Sequence, residues 1–462
     1  MTPRALTVAE SVAMTREEAQ ALARRTLGYS TVDEARVIIS SGWQGNTRFA
    51  DSGITTSGGV TDTTLTVTST VGKRRASAET NVLEDGALKR TVELSERLAR
   101  LSPEDPELLP DLEPQNYSPV NAYVQATADL SPEARSIAAR KVIEVARETA
   151  KSAGDVAVAG FLEVVVGTEA VANKRGLFAF HSNTDVSLST TVRTPDGTGS
   201  GWASTGSRSW SDIDPETLGR RAAQKAVASR NPQAIEPGQY TVVLEPQAVA
   251  DLIPQIMGSF NARGSDEGRS AFSKRGGGTK IGEKIADERI TLYSDPVDPD
   301  LLAQPFDNEG LPVPRTVWIE KGVLKNLAYS RFWAQRQGRQ PTGGGGGGFG
   351  GTLGGLKMMG GSQSTEELIA GTERGILVTH FFYIRFLDQR TVMLTGLTRD
   401  GLFLIEKGKI TKSLKNFRWN ESPLFVLNKI DVLGRAERTA AGQMMPSMRV
   451  RDFNFTSLSD AV

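Results

Sequence analysis

The sequence contains no cysteine and only two histidines in 462 residues. The absence of cysteine excludes disulfides, thiolate metal sites and thiol nucleophiles, and it is typical of a cytoplasmic protein. A catalytic zinc site needs three protein ligands, usually histidine and carboxylate side chains, and an open position for water. His181 and His380 lie far apart in the chain, and neither has H-x-E or H-x-x-x-H spacing. No G-x-S-x-G nucleophile elbow is present either, so we assign no catalytic residue and no metal ligand.

An excess of one charge and long apolar runs are also absent. Lys plus Arg and Asp plus Glu both number 54, so the formal net charge is zero and favours neither nucleic acid nor an anionic membrane. The first twenty residues lack the continuous apolar core of a secretory signal. No run approaches the roughly 20 apolar residues that a membrane helix needs. We therefore expect a soluble, unanchored cytoplasmic protein.

Local patterns predict an α+β fold in three parts. Helix signals alternate with β-branched runs in the first half, whereas the second half is mostly strand after one opening helix. We predict an N-terminal unit over residues 1–117 and a middle unit over residues 118–235, each a mixed sheet with flanking helices. A mostly antiparallel β domain follows over residues 236–462. Five prolines between residues 102 and 119 exclude a continuous helix or central strand, leaving either an ordered crossover or a flexible linker.

Several short signals make element-level predictions. Thr15 and Glu18 have the spacing of a capping box at the start of a first helix. Gly72 marks a hairpin turn. Residues 318–324 and residues 404–410 have the same strand–turn–strand pattern. The simplest explanation is that each forms a hairpin and that the two turns use the same chemistry. A helix is predicted over about residues 424–433.

Residues 240–273 organise the second half of the chain. Residues 240–244 are a β-branched run, and Pro246 suits the first turn of a helix. Val249, Leu252, Ile253 and Ile256 then recur at helical spacing, which predicts one apolar helix face.

This stretch, together with later motifs, resembles the TldD/PmbA family of metal-dependent peptidases. The resemblance includes residues 266–270, F-D-N-E-G-L-P at 306–312, residues 341–343 and residues 395–401. In catalytic members the resembling helix carries a zinc-binding His-Glu-x-x-x-His motif, and a further cysteine ligand lies near the C-terminus. Pro254 aligns with the first His, Gln255 with the Glu and Ser259 with the second His. No histidine lies between His181 and His380, so the motif is absent in any register.

The resemblance implies a role within a pair of subunits. Such proteins pair a metal-bearing TldD-type subunit with a metal-free PmbA-type subunit, also called TldE, and the missing ligands indicate the metal-free type. We expect this chain to hold no cofactor, to be inactive alone, and to form a heterodimer with a zinc-bearing paralogue that degrades unfolded peptides or leader peptides. Two alternatives stay open: a stand-alone peptide-binding or scaffold protein, and a metal-independent hydrolase.

Two segments contain candidate site residues, and only the first is predicted to contact a peptide. We predict that a bound peptide contacts His380, Phe381, Phe382, Tyr383 and Arg385. Strand alternation would place His380 and Phe382 on one face of the strand and the other three residues on the opposite face. His380 is either a packing residue or a cleft-lining one, and His181 is expected to be structural.

The second segment is a glycine run that lacks the G-x-x-x-x-G-K-[ST] pattern of a phosphate loop. It is predicted to be a mobile loop without substrate or partner, and it consists of Gly343, Gly344, Gly345, Gly346, Gly347 and Gly348. The F-D-N-E-G-L-P segment is predicted to be a turn that marks the fold, with Asp307 and Glu309 as weak cation ligands at most.

Overall fold

A computed structural model describes residues 14–343 and 355–459. It has the predicted α+β fold. The α-helices are α1 (Arg16–Gly28), α2 (Asp85–Leu101), α3 (Gln125–Ala128), α4 (Pro132–Thr149), α5 (Pro215–Ala228), α6 (Pro246–Leu252), α7 (Ala262–Asp266), α8 (Arg331–Gln337), α9 (Thr365–Ala370) and α10 (Pro423–Val426). Short 3-10 helices cover Lys151–Ala153, Trp210–Asp212 and Ile253–Phe260.

The strands form two sheets. Those of the first sheet are β1 (Glu34–Ala50), β2 (Gly53–Val71), β3 (Arg74–Thr80), β4 (Ala157–Asn173), β5 (Phe178–Arg193) and β6 (Ser200–Ser207). Those of the second are β7 (Gly238–Leu244), β8 (Leu292–Ser294), β9 (Thr316–Glu320), β10 (Val323–Leu324), β11 (Leu356–Met358), β12 (Arg374–Val378), β13 (Phe381–Asp388), β14 (Met393–Thr398), β15 (Leu402–Glu406), β16 (Lys409–Ser413), β17 (Phe417–Glu421), β18 (Ile430–Arg438) and β19 (Met444–Leu458).

The first sheet crosses the boundary predicted at residue 117. Its order is β3-β2-β1-β4-β5-β6, with every neighbouring pair antiparallel. β1 pairs with β4 from Arg36–Asn173 to Phe49–Gly160, so strands of the two predicted units share one sheet. The pairs are antiparallel where we expected mixed sheets, and the division at residue 117 stays a prediction.

β1 is one continuous strand that runs through Gly42 and Gly45. Gly42 lies so close to β4 that an added Cβ would be 2.8 Å from the Val166 carbonyl oxygen. The ring of Trp43 lies against Gly45 and Gly59, where Cβ atoms would overlap it. These glycines therefore permit close packing within the sheet instead of forming a turn.

Three helices of the first half begin at local capping signals, among them the predicted capping box of α1. Thr15 and Glu18 form both hydrogen bonds of a capping box at α1. Ser131 caps α4 and Asp214 caps α5, each before a proline at the first helical position. α2 packs on β2 and β3 and α1 on β1 and β4, whereas α5 packs on β5 and β6 and α4 on β1, β2 and β4.

The proline-rich segment is an ordered crossover, which we call the strap (residues 102–124). Tyr117 donates its hydroxyl to the Gly310 carbonyl at 2.7 Å, and Arg331 donates to the Pro110 carbonyl at 2.6 Å. Asp111 is buried and ion-paired with Arg36 and Arg75 of the first sheet. The strap thus contacts both halves of the protein.

In the residues that the structure describes, the second sheet has 13 strands and is mostly antiparallel, as predicted. Its main path runs β10-β9-β8-β11-β19-β7-β12-β15-β16, with β13, β14, β17 and β18 attached beside it. Parallel pairing occurs between β7 and β12 and between β11 and β19. The two predicted hairpins are confirmed as β9–β10 and β15–β16, with the positive φ angles that such turns require at Lys321, Gly322, Lys407 and Gly408.

The helix predicted over residues 424–433 is wrong for most of its length. Ser422 caps α10, which ends at Val426, and β18 begins at Ile430. Ile430 and Val432 pair with β19 instead, because β-branched residues are favoured in a partly buried strand. Among the described residues, no helix has both the length and the apolar character needed to cross a bilayer.

Candidate functional site

The predicted helix after β7 is interrupted at the positions aligned with the zinc motif. α6 ends at Leu252, and a 3-10 helix continues through residues 253–260. The cause is Pro254, which has no N–H to bond to the preceding turn and whose ring crowds the carbonyl four residues earlier. The predicted apolar face is nevertheless buried at Val249, Leu252, Ile253 and Ile256.

The three aligned positions do not fit a zinc ion. Proline has no side-chain donor atom, and Gln255 donates its amide to the Asp251 carbonyl at 3.2 Å. Ser259 is buried, and its carbonyl accepts hydrogen bonds from the hydroxyls of Ser265 and Ser270. In residues 14–343 and 355–459, no three His, Cys, Asp or Glu side chains are grouped so as to hold a metal ion.

His380 lies instead in a cluster that joins the two sheets, which we call the His380 cluster. Its Nε2 is 3.8 Å from Asp251 Oδ2 of α6, and its Nδ1 is 3.5 Å from Asp400 Oδ2. The imidazole stacks on Trp202 of β6, with ring centroids 4.5 Å apart and planes 11° from parallel. Ser200, also on β6, donates its hydroxyl to Asp400 Oδ1 at 2.6 Å. The stacking by Trp202 and the hydrogen bond from Ser200 therefore link β6 of the first sheet to the second half of the protein.

The two carboxylates of the cluster have opposite pKa shifts. Burial raises the pKa of Asp251, and the nearby His380, the Phe381 N–H and the Gln247 amide oppose it only in part. Burial also acts to raise the pKa of Asp400, but His380, the Ser200 hydroxyl and Arg399 outweigh it and hold that pKa below its usual value. The hydroxyl of Ser200 is directed to a carboxylate and not to the imidazole, so these residues do not form a nucleophilic triad.

The predicted peptide contacts divide into buried and exposed groups. Phe381 is 2% exposed, packs against Trp419 and Phe453, and donates its N–H to Asp251 Oδ2 at 2.9 Å. Phe382 and Tyr383 are 42% and 56% exposed, and Arg385 is exposed as well. Strict alternation fails because Tyr383 has φ +55° and the pairing with β14 shifts between Phe382 and Arg385.

The remaining candidates lie elsewhere. His181 is buried in β5, where burial and then Arg208 lower its pKa to about 4. Gly343 has φ +69° and lies against Pro312 and Val313, whereas Gly344–Gly348 fall outside the described residues. Asp307 Oδ1 accepts the N–H groups of Glu309 and Leu311, which confirms the predicted turn.

Sequence reasoning missed the partners of His380. Asp251, Asp400, Ser200 and Trp202 come from three distant segments, and their contacts depend on the packing of the two sheets. A partial signal exists on α6, where Gln247 and Asp251 have helical i, i+4 spacing and share a 2.7 Å hydrogen bond.

Comparison with known proteins identifies the family. The model of the PmbA/TldA metallopeptidase central domain matches residues 126–230, and that of the PmbA/TldA metallopeptidase C-terminal domain matches residues 237–457. These matches, which span well over half of the chain, define a protein of the metallopeptidase type. The chain belongs to the TldD/PmbA family.

Individual relatives are similar at lower identity. A metalloprotease of Methanothermobacter thermautotrophicus is 26% identical over 321 residues, 66% of this chain and 68% of the relative. A TldD homologue of Haemophilus influenzae, described as a metalloprotease, is 26% identical over 235 residues, 48% of this chain and 46% of the relative. The match therefore spans about half of that second protein.

Solved structures share the fold over nearly the whole length. TldE from Thermococcus kodakarensis has a TM-score of 0.82 at 21% identity, covering 95% of this chain and 99% of its own. A Thermotoga maritima protein described as a candidate modulator of a DNA gyrase has a TM-score of 0.81 at 20% identity, covering 95% and 100%. At these identities the likeness concerns the fold alone.

Proposed function

We propose that this chain is a non-catalytic subunit, without zinc ligands, of a TldD/TldE-type heterodimeric metallopeptidase that acts on unfolded peptides or leader peptides in the cytoplasm. One observation carries the proposal: the family helix is present, but Pro254, Gln255 and Ser259 offer no usable zinc ligand. Zinc and its activated water would come from a metal-bearing paralogue.

The contribution of this chain would be to bind and orient an extended peptide. β13 pairs with β14 on one side only among the described strands, so its other edge has unpaired backbone groups. An extended peptide can add to such an edge through backbone hydrogen bonds with little sequence specificity. Phe382 and Tyr383 are exposed beside it, with Arg399 and Arg385 stacked on their rings at 4.2 and 4.4 Å.

Peptide cleavage by each subunit and by their mixture tests the proposal. This chain alone should hold no stoichiometric zinc by elemental analysis and should cleave no unfolded peptide, while the mixture should cleave faster than the paralogue alone. Positioning of a substrate contributes several kcal/mol to a barrier, so a missing subunit should be readily visible. Chelator should abolish cleavage by the mixture.

Two sets of variants make the assay specific. Gln255→Ala should leave joint cleavage unchanged, whereas the double variant Tyr383→Ala/Arg385→Ala should reduce it without preventing subunit association. Arg97→Ala/Leu101→Ala on the exposed side of α2 is the matched control. Chelator-resistant cleavage by this chain alone would instead indicate a metal-independent hydrolase. A paralogue fully active without it would favour a stand-alone peptide-binding or scaffold protein.

A further inference from the structure

A cavity of about 350 Å³ separates the first sheet from the second half of the protein. We call it the interdomain cavity. Its walls come from β6 and α5 on one side and from the start of α6, the start of α9 and β18 on the other. Its volume lies within the range of about 300–1,000 Å³ that small-molecule sites occupy, and interfaces between domains are a preferred location for such sites.

The floor of the interdomain cavity is apolar. Leu377 of β12 and Phe403 of β15 belong to a small core that also includes Leu368 of α9. Both line the cavity, although only 4% of Leu377 and 2% of Phe403 are exposed. Ile410 of β16 extends the floor and is 46% exposed. An apolar group placed here would be removed from water, which stabilises binding by roughly 25 cal/mol per Å².

The rim of the cavity carries charges that are already paired. Lys225 of α5 is 2.6 Å from Glu245, and Arg221 of α5 is 3.6 Å from Glu437. Because each of these cations has an anion beside it, the rim offers no excess charge for a phosphate or another strongly charged ligand. Paired ammonium and carboxylate groups can still bind the N–H and C=O groups of a peptide backbone.

The cavity also adjoins the His380 cluster. Trp202 lines the cavity and stacks on His380, the residue immediately before β13. The predicted peptide contacts at Phe382 and Tyr383 follow that histidine by two and three residues.

We propose that the interdomain cavity is a peptide subsite that accepts one bulky apolar side chain of an extended substrate, with the backbone held at the charged rim. This inference rests on the proposed function, and it adds a preference for leucine-like or phenylalanine-like side chains. The apolar floor supplies that preference, chiefly through the exposed Ile410, because a small polar side chain would leave this surface without contacts.

The test compares two labelled peptides and two matched variants. The probes are the acetylated, amidated hexapeptide Gly-Gly-Leu-Gly-Gly-Lys, with fluorescein on the lysine, and the same peptide with Ser in place of Leu. Fluorescence polarisation with the full chain should show about tenfold or stronger preference for the Leu peptide, as expected from burying one leucine side chain. Equal affinity for the two probes, or no binding of either, would overturn the proposal.

Two variants test whether the peptide binds in the interdomain cavity. Gln224→Trp on the exposed side of α5 fills the cavity and should weaken binding of the Leu peptide about tenfold, to the level of the Ser peptide. Arg220→Trp puts the same side chain on the same helix outside the cavity lining and should leave both affinities unchanged. If Gln224→Trp leaves the Leu preference intact, the subsite lies elsewhere.

Joint cleavage separates this inference from the proposed function. In a mixture with the paralogue, Gln224→Trp should raise KM for the Leu peptide with little change in kcat, because it removes a binding contact. Cleavage that is insensitive to the variant would refute the subsite while the heterodimeric peptidase stands. Leu-selective binding without any joint cleavage would refute the peptidase and retain the peptide subsite.

Discussion

At the scale of single residues, His181 and Asp185 of β5 are titratable groups with opposite effects on stability. Burial, then Arg208, lowers the pKa of His181 to about 4, whereas burial raises the pKa of Asp185 to about 6 against the influence of Arg208 and Asn183. The folded state therefore disfavours a proton on the histidine and favours one on the carboxyl group. Acidification destabilises the protein through the first residue and stabilises it through the second.

We expect the His181→Gln variant to lose less stability than the parent protein when the pH is lowered. The unfolded imidazole takes up a proton below about pH 6.5 and the folded one only near pH 4, so its contribution is lost as pH falls through that window. At pH 5 the loss is about 2 kcal/mol relative to pH 8, from roughly 1.4 kcal/mol per pKa unit. Urea unfolding from pH 8 to pH 4.5 measures it, and an unchanged slope in the variant would contradict the assignment.

The matched variant Asp185→Asn should change the slope in the opposite direction. Its carboxyl group gains a proton more readily in the folded state, so the native residue adds stability as pH falls below about 6. Replacing the carboxyl group by an amide should therefore make the free energy of unfolding fall more steeply as the pH is lowered. A shallower fall than in the parent protein would contradict this prediction.

At the residue scale, the sequence gives the identity of each side chain but not its neighbours in space. The absence of ligands at Pro254, Gln255 and Ser259 can be read without a structure, because composition and spacing suffice. The His380 cluster could not be predicted, since Asp251, Trp202 and Asp400 meet only after two sheets have packed. Phe381 was grouped with exposed neighbours because a bulge at Tyr383 cannot be recognised from alternation alone.

At the scale of elements, caps and turns were more predictable than boundaries. The Thr15 capping box and both Lys–Gly hairpins follow from local chemistry, and each is present. The end of α6 also has a local cause in Pro254. The helix predicted over residues 424–433 was wrong because tertiary context decides that segment, and pairing with β19 places residues 430–433 in β18. In β1, close packing against β4 likewise keeps Gly42 within a strand.

The turn between β15 and β16 offers an element-scale prediction. Gly408 has φ +74°, and an added Cβ would lie 2.4 Å from the Ala370 carbonyl oxygen. Gly408→Ala should therefore lower the free energy of unfolding by about 2 kcal/mol or more, combining a strained φ with a backbone clash.

Gly72 is the matched control for that change, and urea denaturation can compare the two variants. It has φ +58° in the β2–β3 turn, but an added Cβ would meet nothing within 4 Å. Gly72→Ala should cost only about 1 kcal/mol, which is the conformational part. Equal losses in the two variants would show that contact with Ala370 does not constrain the β15–β16 turn.

At the scale of the whole molecule, a buried charge holds the strap against the first sheet. Asp111 is ion-paired with Arg36 and Arg75, and burial raises its pKa even though both guanidinium groups oppose that shift. Asp111→Asn would leave two largely buried cations without their anion, so we expect a loss of about 3 kcal/mol or more. Limited proteolysis with mass spectrometry should then show cleavage within residues 102–124 in the variant and slow cleavage in the parent.

Glu113→Gln provides the control, because it removes a strap carboxylate whose side chain is 65% exposed and bonded to Arg175. Its effect should stay below about 1 kcal/mol. Rapid cleavage of the parent strap, or equal cleavage in the two variants, would favour the flexible linker that the prolines also allowed.

The position of β19 has a consequence for the order of assembly during synthesis. β19 pairs with β7 on one side and with β11 on the other, in the interior of the second sheet, yet it follows β7 by roughly 200 residues in the chain. Until it has left the ribosome, β7 and β11 each have an edge with unpaired backbone groups, which is a hazard for association with other nascent chains. Contacts so distant in sequence also slow folding. A nascent chain stopped after β17 should therefore need a chaperone to stay in solution, whereas the antiparallel sheet of the first half, complete by residue 207, can form beforehand.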